Sequence, residues 1–254
     1  MILTDYFRRA WSFIRWMPKN SLNGFRFRVP YFRGTNFKMP SRIRVVKEKV
    51  ALHYLDEAGV GPDFIECFIY NVYGLGHALG SVRTILDIGA NVGFFSLAAR
   101  GYYPEAIIHA YEPNPRIQAV LRANIDKLSI KAYPEAVGGR TGQVTLNDAS
   151  VSNMARTCPS GDGSGSIAQI SLDSAIKRLG GSVDLLKMDC EGAEWEMFCL
   201  VDCWDSIKNV RMEYHLYNGE SVGQVVKALS GLGFRIIRLK PRRNNMGIIW
   251  GKRD

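Results

Sequence analysis

A chain of 254 residues with 46% hydrophobic and 22% charged side chains has the make-up of a soluble globular protein with one large core, or one domain plus an arm. No run reaches the roughly 18 consecutive apolar residues of a membrane span, and five cysteines with no Cys-x-x-Cys pair read as free thiols rather than a zinc site or disulfide framework. The net charge of +9 is uneven: residues 1–50 hold 12 Lys/Arg against 2 Asp/Glu and residues 235–254 hold 7 against 1, so the middle is net acidic and no nucleic-acid partner is expected there.

Residues 1–17 place Leu3, Tyr6, Phe7, Ala10, Trp11, Ile14 and Met17 on one helical stripe, with Arg8, Arg9 and Arg15 interspersed and Pro18 ending it. Such a helix suits peripheral membrane contact, docking on its own domain, or a homodimer contact with a second protomer. The arginines interrupt any signal-peptide core, which leaves a cytoplasmic protein as the expectation. Residues 25–46 interleave aromatics with arginines as short strands or an extended ribbon. Residues 47–58 and 63–79 read as two helices, with Asp63 capping the second after Gly61-Pro62. The expected division is a basic arm and helix over 1–60 and a catalytic domain over 61–254.

The organising stretch is 84–95. Thr84, Ile85 and Leu86 form a doubly buried strand closed by Asp87, then Gly89, Asn91 and Gly93 alternate through a turn, and a helix follows from Val92 to Arg100. A strand, a glycine-rich turn and a helix form the cradle of a nucleotide-like ligand. The spacing Gly89-x-x-x-Gly93 is not the dinucleotide Gly-x-Gly-x-x-Gly, and no Gly-Lys-Ser/Thr phosphate loop follows. A carboxylate at the loop mouth repels a pyrophosphate and favours an ammonium or sugar hydroxyls. A second strand, 107–111, ends at Glu112, the usual place of a ribose-binding acid. A ligand with a ribose, a cationic amino-acid end and no phosphate is S-adenosyl-L-methionine.

Further strands and helices alternate: helix 115–128 with Asn114 as its cap, strand 130–137, strands near 144–147 and 167–171 around a Gly/Ser-rich loop at 158–166, helix 172–179 and strand 183–189. Helix 191–201, strand 207–213, helix 221–232 and a closing pair at 234–239 and 246–250 complete the chain. Seven strands with alternating helices predict an α/β fold, a doubly wound, mostly parallel sheet with an antiparallel last strand. Ligands in such sheets bind beyond the carboxyl ends of the strands, where Asp87, Glu112, Glu135, Asp189, Glu213 and His215 gather. Asp87, Gly89, Asn91 and Gly93 are expected to hold the methionine end of the cofactor and Glu112 its ribose. Glu135 or the backbone near Ala136 would meet the adenine. The bland alternatives are a helix-capping role for Asp87 and a solvated loop acid for Glu112.

Asp87-Ile-Gly-Ala-Asn-Val-Gly93, Tyr111-Glu-Pro-Asn-Pro115, Ala136-Val-Gly138, Ser171-Leu-Asp173, Lys187-Met-Asp-Cys-Glu-Gly-Ala-Glu194 and Glu213-Tyr-His215 occur in that order. The set resembles the FkbM family of S-adenosylmethionine-dependent O-methyltransferases from about Asp63 onward. The resemblance implies a Rossmann-like class I methyltransferase fold and a small-molecule or glycan acceptor methylated on a hydroxyl. It adds Pro113 and Asn114 to the cofactor set and places Asp189 and Glu191 in the reaction centre.

An attacking hydroxyl must lose its proton, and a histidine suits that task. His215 is the expected base, with Glu213 or Asp189 orienting it. His109 reads as a core residue, and His53 and His77 lie on the preceding helices, where they could at most approach the substrate. A metal held by Asp189, Glu213 and His215 is conceivable, but metal-free base catalysis ranks first and no metal is expected. Two rivals remain open: an RNA ribose 2′-O-methyltransferase recruited by the basic arm, and a non-catalytic scaffold that keeps the cofactor fold. The position after the fourth core strand reads Asp189-Cys-Glu-Gly, which lacks the prolines and aromatic used to methylate base amines. A nicotinamide oxidoreductase is disfavoured by the missing third glycine.

Overall fold

The computed structural model describes residues 23–29, 31, 37–77, 79–146, 157–159, 166–243 and 245–254. The helix expected over 1–17 and most of the loop expected over 158–166 lie outside the described residues. Among the described residues no helix is long and apolar enough to cross a membrane, and Cys67, Cys190, Cys199 and Cys203 are free thiols.

Strands β1 (Arg42–Val45) and β2 (Glu48–Ala51) form an antiparallel hairpin whose turn holds Val46 at φ 55°. This replaces the helix expected over 47–58. Period-two burial of Ile43, Val45 and Val50 against the core, with Arg42, Glu48 and Lys49 outward, favours a strand there. Helix α1 (Val60–Phe64) begins after Gly59, so Asp63 sits in its first turn and does not cap it. It passes into a π-helical turn, Ile65–Tyr70, and stops at Asn71, which is left-handed at φ 47°. The Asn71 amide both donates to the Leu75 carbonyl and accepts from the Leu75 N–H, each at 2.8 Å. That side chain competes with the helix ladder, and the helix expected to run to 79 ends there.

The alternating α/β part follows as β3 (Thr84–Ile88), α2 (Phe94–Tyr102), β4 (Ile107–Tyr111), α3 (Gln118–Ile125) and β5 (Ile130–Tyr133). Asn114 does not cap α3. Its side chain accepts from the Arg116 N–H at 3.0 Å, and the helix proper starts after Ile117. The strand expected over 130–137 is broken at Pro134, which has no ladder donor. Its second half is β6 (Ala136–Gly138), which pairs instead with β9 (Ile167–Ser171). Strand β9 also pairs with β7 (Gly142–Leu146), and β7 with β8 (Thr157–Pro159), so the strands expected near 144–147 and 167–171 join a small second sheet to which β8 adds a strand at the start of the expected loop.

After helix α4 (Leu172–Leu179) come β10 (Leu185–Met188), helix α5 (Glu194–Met197), a 3-10 turn at Val201–Ser206, β11 (Asn209–His215), α6 (Val222–Gly231), β12 (Arg235–Pro241) and β13 (Met246–Lys252). The helix expected over 191–201 is cut to one turn because Glu191 (φ 53°) and Gly192 (φ 105°) are both left-handed. Strand β11 runs through His215, two residues beyond its expected end. Helix α6 opens with a capping box between Ser221 and Gln224.

The main sheet has the order β12-β13-β11-β10-β3-β4-β5, parallel except for β13. This is the expected doubly wound sheet with its last strand reversed. One apolar cluster lies on the face of Ile85, with Phe27, Phe64, Phe68, Leu97 and Leu121. The other lies on the face of Leu86 and Ile88, with Ile176, Trp204, Val225 and Leu229. The described part of the N-terminal 60 residues therefore shares a core with the sheet. The strand order reverses between β3 and β10, and the crevice beyond their carboxyl ends is where the fold leaves room for a ligand.

Candidate functional site

A cavity of about 580 Å³ opens at that switch point, ample for a nucleoside-sized ligand. Gly89 is left-handed at φ 74°, and a Cβ there would stand 1.7 Å from the Asp189 carbonyl oxygen. The loops after β3 and β10 touch at this point, so only glycine fits. Gly89 and Ala90 donate to the Tyr111 carbonyl at 3.0 and 2.9 Å, which locks the turn onto β4. Asn91 follows at φ 48° and lines the cavity, and its buried side-chain oxygen has no hydrogen-bond partner among the described residues.

Glu112 is clamped from both sides. One carboxylate oxygen accepts the Asn91 N–H at 2.8 Å and the other the Asn114 N–H at 2.9 Å. Burial pushes its carboxyl up to about 7, with the Asn114 and Asn91 donors pulling the other way. Each oxygen keeps a lone pair to offer into the cavity. Pro113, Glu135, Ala136 and Val137 continue the wall, and Glu135 is ion-paired to Arg178, whose guanidinium lies over the Tyr133 ring.

Three expected cofactor residues stand behind the wall. Asp87 is fully buried; Ser96 donates to it at 2.6 Å and Lys187, its neighbour across β3 and β10, lies 3.3 Å away. It acts from within the core and does not line the cavity. Gly93 packs on Leu121 at φ 89°, and Asn114 is buried in the turn before α3.

The opposite end of the cavity is crowded with acids. Asp189 projects from the tip of β10, accepts from the Tyr73 hydroxyl at 3.1 Å and lies 3.7 Å from the Lys187 ammonium. Glu191 follows on a left-handed backbone and takes the Tyr217 hydroxyl on its carboxylate. Glu213 is buried on β11, with one Arg242 nitrogen 3.3 and 3.4 Å from its two oxygens, and Arg242 also reaches Glu66 at 3.0 Å. Burial and then the Asp189 charge push the Glu213 carboxyl well above the usual range, against the pull of Arg242. Lys187 is held charged: burial opposes it, but Asp87 and Asp189 outweigh that cost. Among the described residues, the two cations that line the cavity, Lys187 and Arg242, are thus both paired to acids and offer no free positive charge to a phosphate.

His215 does not line the cavity. It is 1% exposed, with its ring stacked on Tyr217. Its Nδ1 lies 3.3 Å from Glu194 and its Nε2 lies 3.6 Å from Glu191. Burial alone would discharge it, yet Glu194, by hydrogen bond and charge, followed by Asp189 and Glu191, raises it to about 9. Buried behind Glu191 and absent from the cavity wall, the ring is badly placed to take a proton directly from a substrate. The structure does not bring His215, the expected base, to the cavity wall. His109 is buried in β4 and pushed down to about 4, as befits a core residue.

Tyr73, Lys187, Arg242 and Tyr217 also line the site, and sequence alone assigns none of them a role there. Only Lys187 left a trace there, as a charge inside the apolar run Leu185–Met188 that a buried strand tolerates only beside a counter-ion.

Acceptor oxygens on Glu112 and Asn91 at one end, a glycine-lined turn beside them, and paired cations among the described lining residues fit a nucleoside with a cationic amino-acid end. On this sheet that combination defines a methyltransferase of the Rossmann-like class. Residues 87–236 match the model of the Methyltransferase FkbM domain, and the chain belongs to that family. It is a methyltransferase. It is 28% identical over 192 residues to the 31-O-demethyl-FK506 methyltransferase FkbM of Streptomyces tacrolimicus, covering 60% of this chain and 73% of that one. It is 29% identical over 212 residues to methyltransferase sdnD of Sordaria araneosa, covering 68% and 81%. Among solved structures it is similar to the magnesium protoporphyrin IX methyltransferase of Synechocystis PCC 6803 with bound S-adenosylmethionine, at a TM-score of 0.48 and 12% identity, over 80% of this chain and 87% of that one.

Proposed function

We propose that the protein methylates a hydroxyl group on a sugar, glycan or related natural-product acceptor, with Glu213 taking the hydroxyl proton. The observation that carries this reading is the acid-lined end of the cavity, where Glu213 faces the ligand space with a carboxyl made more basic by burial. Gly89, Asn91 and Glu112 would hold the donor, with Glu135 and Ala136 beside its base. When bound, S-adenosylmethionine supplies an electrophilic methyl group on a sulfonium whose sulfur leaves as a neutral thioether.

The residues supply alignment and a place for the proton. Tyr73 and Lys187 fix the Asp189 carboxylate, which can orient an acceptor hydroxyl. Arg242 contacts Glu213 at 3.3 and 3.4 Å and opposes the burial that raises its carboxyl to about 8, so Glu213 becomes a proton acceptor as pH rises toward and above that value. A smaller cavity of about 190 Å³ adjoins the first through Thr157, Glu191, Ala193 and Tyr217, and is lined further in by Arg140, Gln169 and Asn218. A polar recess with an aromatic ring at its entrance suits a polyhydroxylated body better than an aliphatic one.

The test is an incubation of the full chain with S-adenosylmethionine and separate pools of sugars, hydroxylated macrolides, amines and short RNA. Production of S-adenosylhomocysteine with methyl ether formation in the sugar or macrolide pool is the expected result. Methylation confined to amines or RNA would overturn the acceptor assignment.

A further inference from the structure

The His215 Nε2 atom is buried with no hydrogen-bond partner. A buried imidazole nitrogen left unpaired costs stability, so its surroundings ask what it is for. Its other nitrogen is not idle: Glu194, itself buried, lies 3.3 Å from Nδ1 and also accepts from the Cys190 N–H. A carboxylate that fixes Nδ1–H leaves Nε2 as a lone pair aimed the other way, the arrangement by which proteins orient a metal-binding histidine. In that direction lie the carboxylates of Asp189 and Glu191. One ligand atom from each of the three residues falls within 4.8 Å of the others. The Nε2 to Glu191 Oε1 distance of 3.6 Å is too long for a good hydrogen bond. It is the separation of two donors sitting about 2.1 Å from one ion at an angle of roughly 110–120°.

The geometry points to a divalent-cation site formed by Asp189, Glu191 and His215, with Glu194 positioning the histidine. One imidazole nitrogen and two carboxylate oxygens suit Mn²⁺ or Zn²⁺ and offer no thiolate for softer ions. The ion neutralises a cluster in which three carboxylates converge on one ring, and binding releases whatever proton the ring carries. Two of its ligands, Asp189 and Glu191, line the main cavity, so its open positions face the acceptor end. There it would take a hydroxyl oxygen of the acceptor as a further ligand. That role rests on the methyl-transfer reading; the binding of the ion does not.

The test uses the full chain, stripped with chelator and without cofactor. Mn²⁺ alone is titrated by electron paramagnetic resonance, and Zn²⁺ and Mg²⁺ by calorimetry. One bound Mn²⁺ or Zn²⁺ per chain is expected, with binding lost in His215→Gln and weakened about 10–100-fold in Glu194→Gln. Because His215 is buried and its variant can fail to fold, Glu191→Gln serves as a second variant, and it too should lose the ion. Absence of binding to the wild type at millimolar metal, or unchanged binding in the folded variants, would overturn the site. S-adenosylmethionine titrated into the metal-free chain separates the two readings. Cofactor binding without metal binding removes only the ion site; metal binding without cofactor binding removes only the methyl-transfer role.

Discussion

The two ends of the cavity are built on opposite plans. At the nucleoside end the polar groups are tied to backbone: Glu112 is gripped by two N–H groups, and Gly89 and Ala90 are pinned to the Tyr111 carbonyl. At the acceptor end side chains hold side chains, and Asp189, Glu191, Glu194, Glu213 and Glu66 face Lys187, Arg242 and His215. The first plan fixes a shape before any ligand arrives, which suits recognition of one constant cofactor. The second gathers more acids than cations, an arrangement easily shifted, which suits moving a proton or accepting an ion. The Asp87 and Asp189 pair shows the contrast on adjacent strand ends: both touch Lys187, but one is sealed in the core and the other stands in the cavity.

Substitutions at the two ends should therefore separate chemistry from binding. Glu213→Gln should lower kcat/KM by about 10²–10⁴ if it takes the proton, with the Kd for S-adenosylmethionine unchanged by calorimetry. Near-normal turnover would move the base to Asp189 or Glu191. Lys187→Met should leave Asp87 as an uncompensated buried charge and cost about 3–5 kcal/mol in urea denaturation. The double change Lys187→Met with Asp87→Asn should recover much of that loss, and failure to recover would show that Lys187 matters chiefly to the cavity. Glu112→Gln cannot accept both backbone donors and should weaken cofactor binding by about 10–100-fold, the worth of a hydrogen bond to a charged group.

The sequence was most legible where periodicity and turn chemistry coincide. The run Thr84–Ile88, the glycines after it and Glu112 after Ile107–Tyr111 were readable because a doubly buried strand, a left-handed turn and a strand-end acid each leave a local mark. The acceptor end was less legible. Burial of His215 depends on β11 continuing through it, and its charge depends on Glu194 on α5 coming within 3.3 Å, which no spacing encodes. Strand β2 reads as helix because its charged residues fit either period; only the hairpin partner decides. The early stop at Asn71 depends on an amide closing on Leu75 four residues later, a competition that propensity does not register.

The smallest effect is the most specific to the nucleoside end. Burial raises the Glu112 carboxyl from 4.5 to about 7, so between those values the folded protein holds a proton that the unfolded chain has lost. Its contribution to stability is present below pH 4.5 and declines as pH rises through 7, and the raised Glu191 and Glu213 carboxyls act in the same direction. Cofactor binding runs the other way, because ribose hydroxyls donate to the ionised carboxylate. Affinity should therefore climb by up to about tenfold per pH unit below 7, and only about twofold more is available above it, where the group is already half ionised. Calorimetry from pH 5.5 to 8.5 on wild type and Glu112→Gln checks this. The slope should vanish in the variant, and a slope that survives would assign the titration to the acceptor end instead.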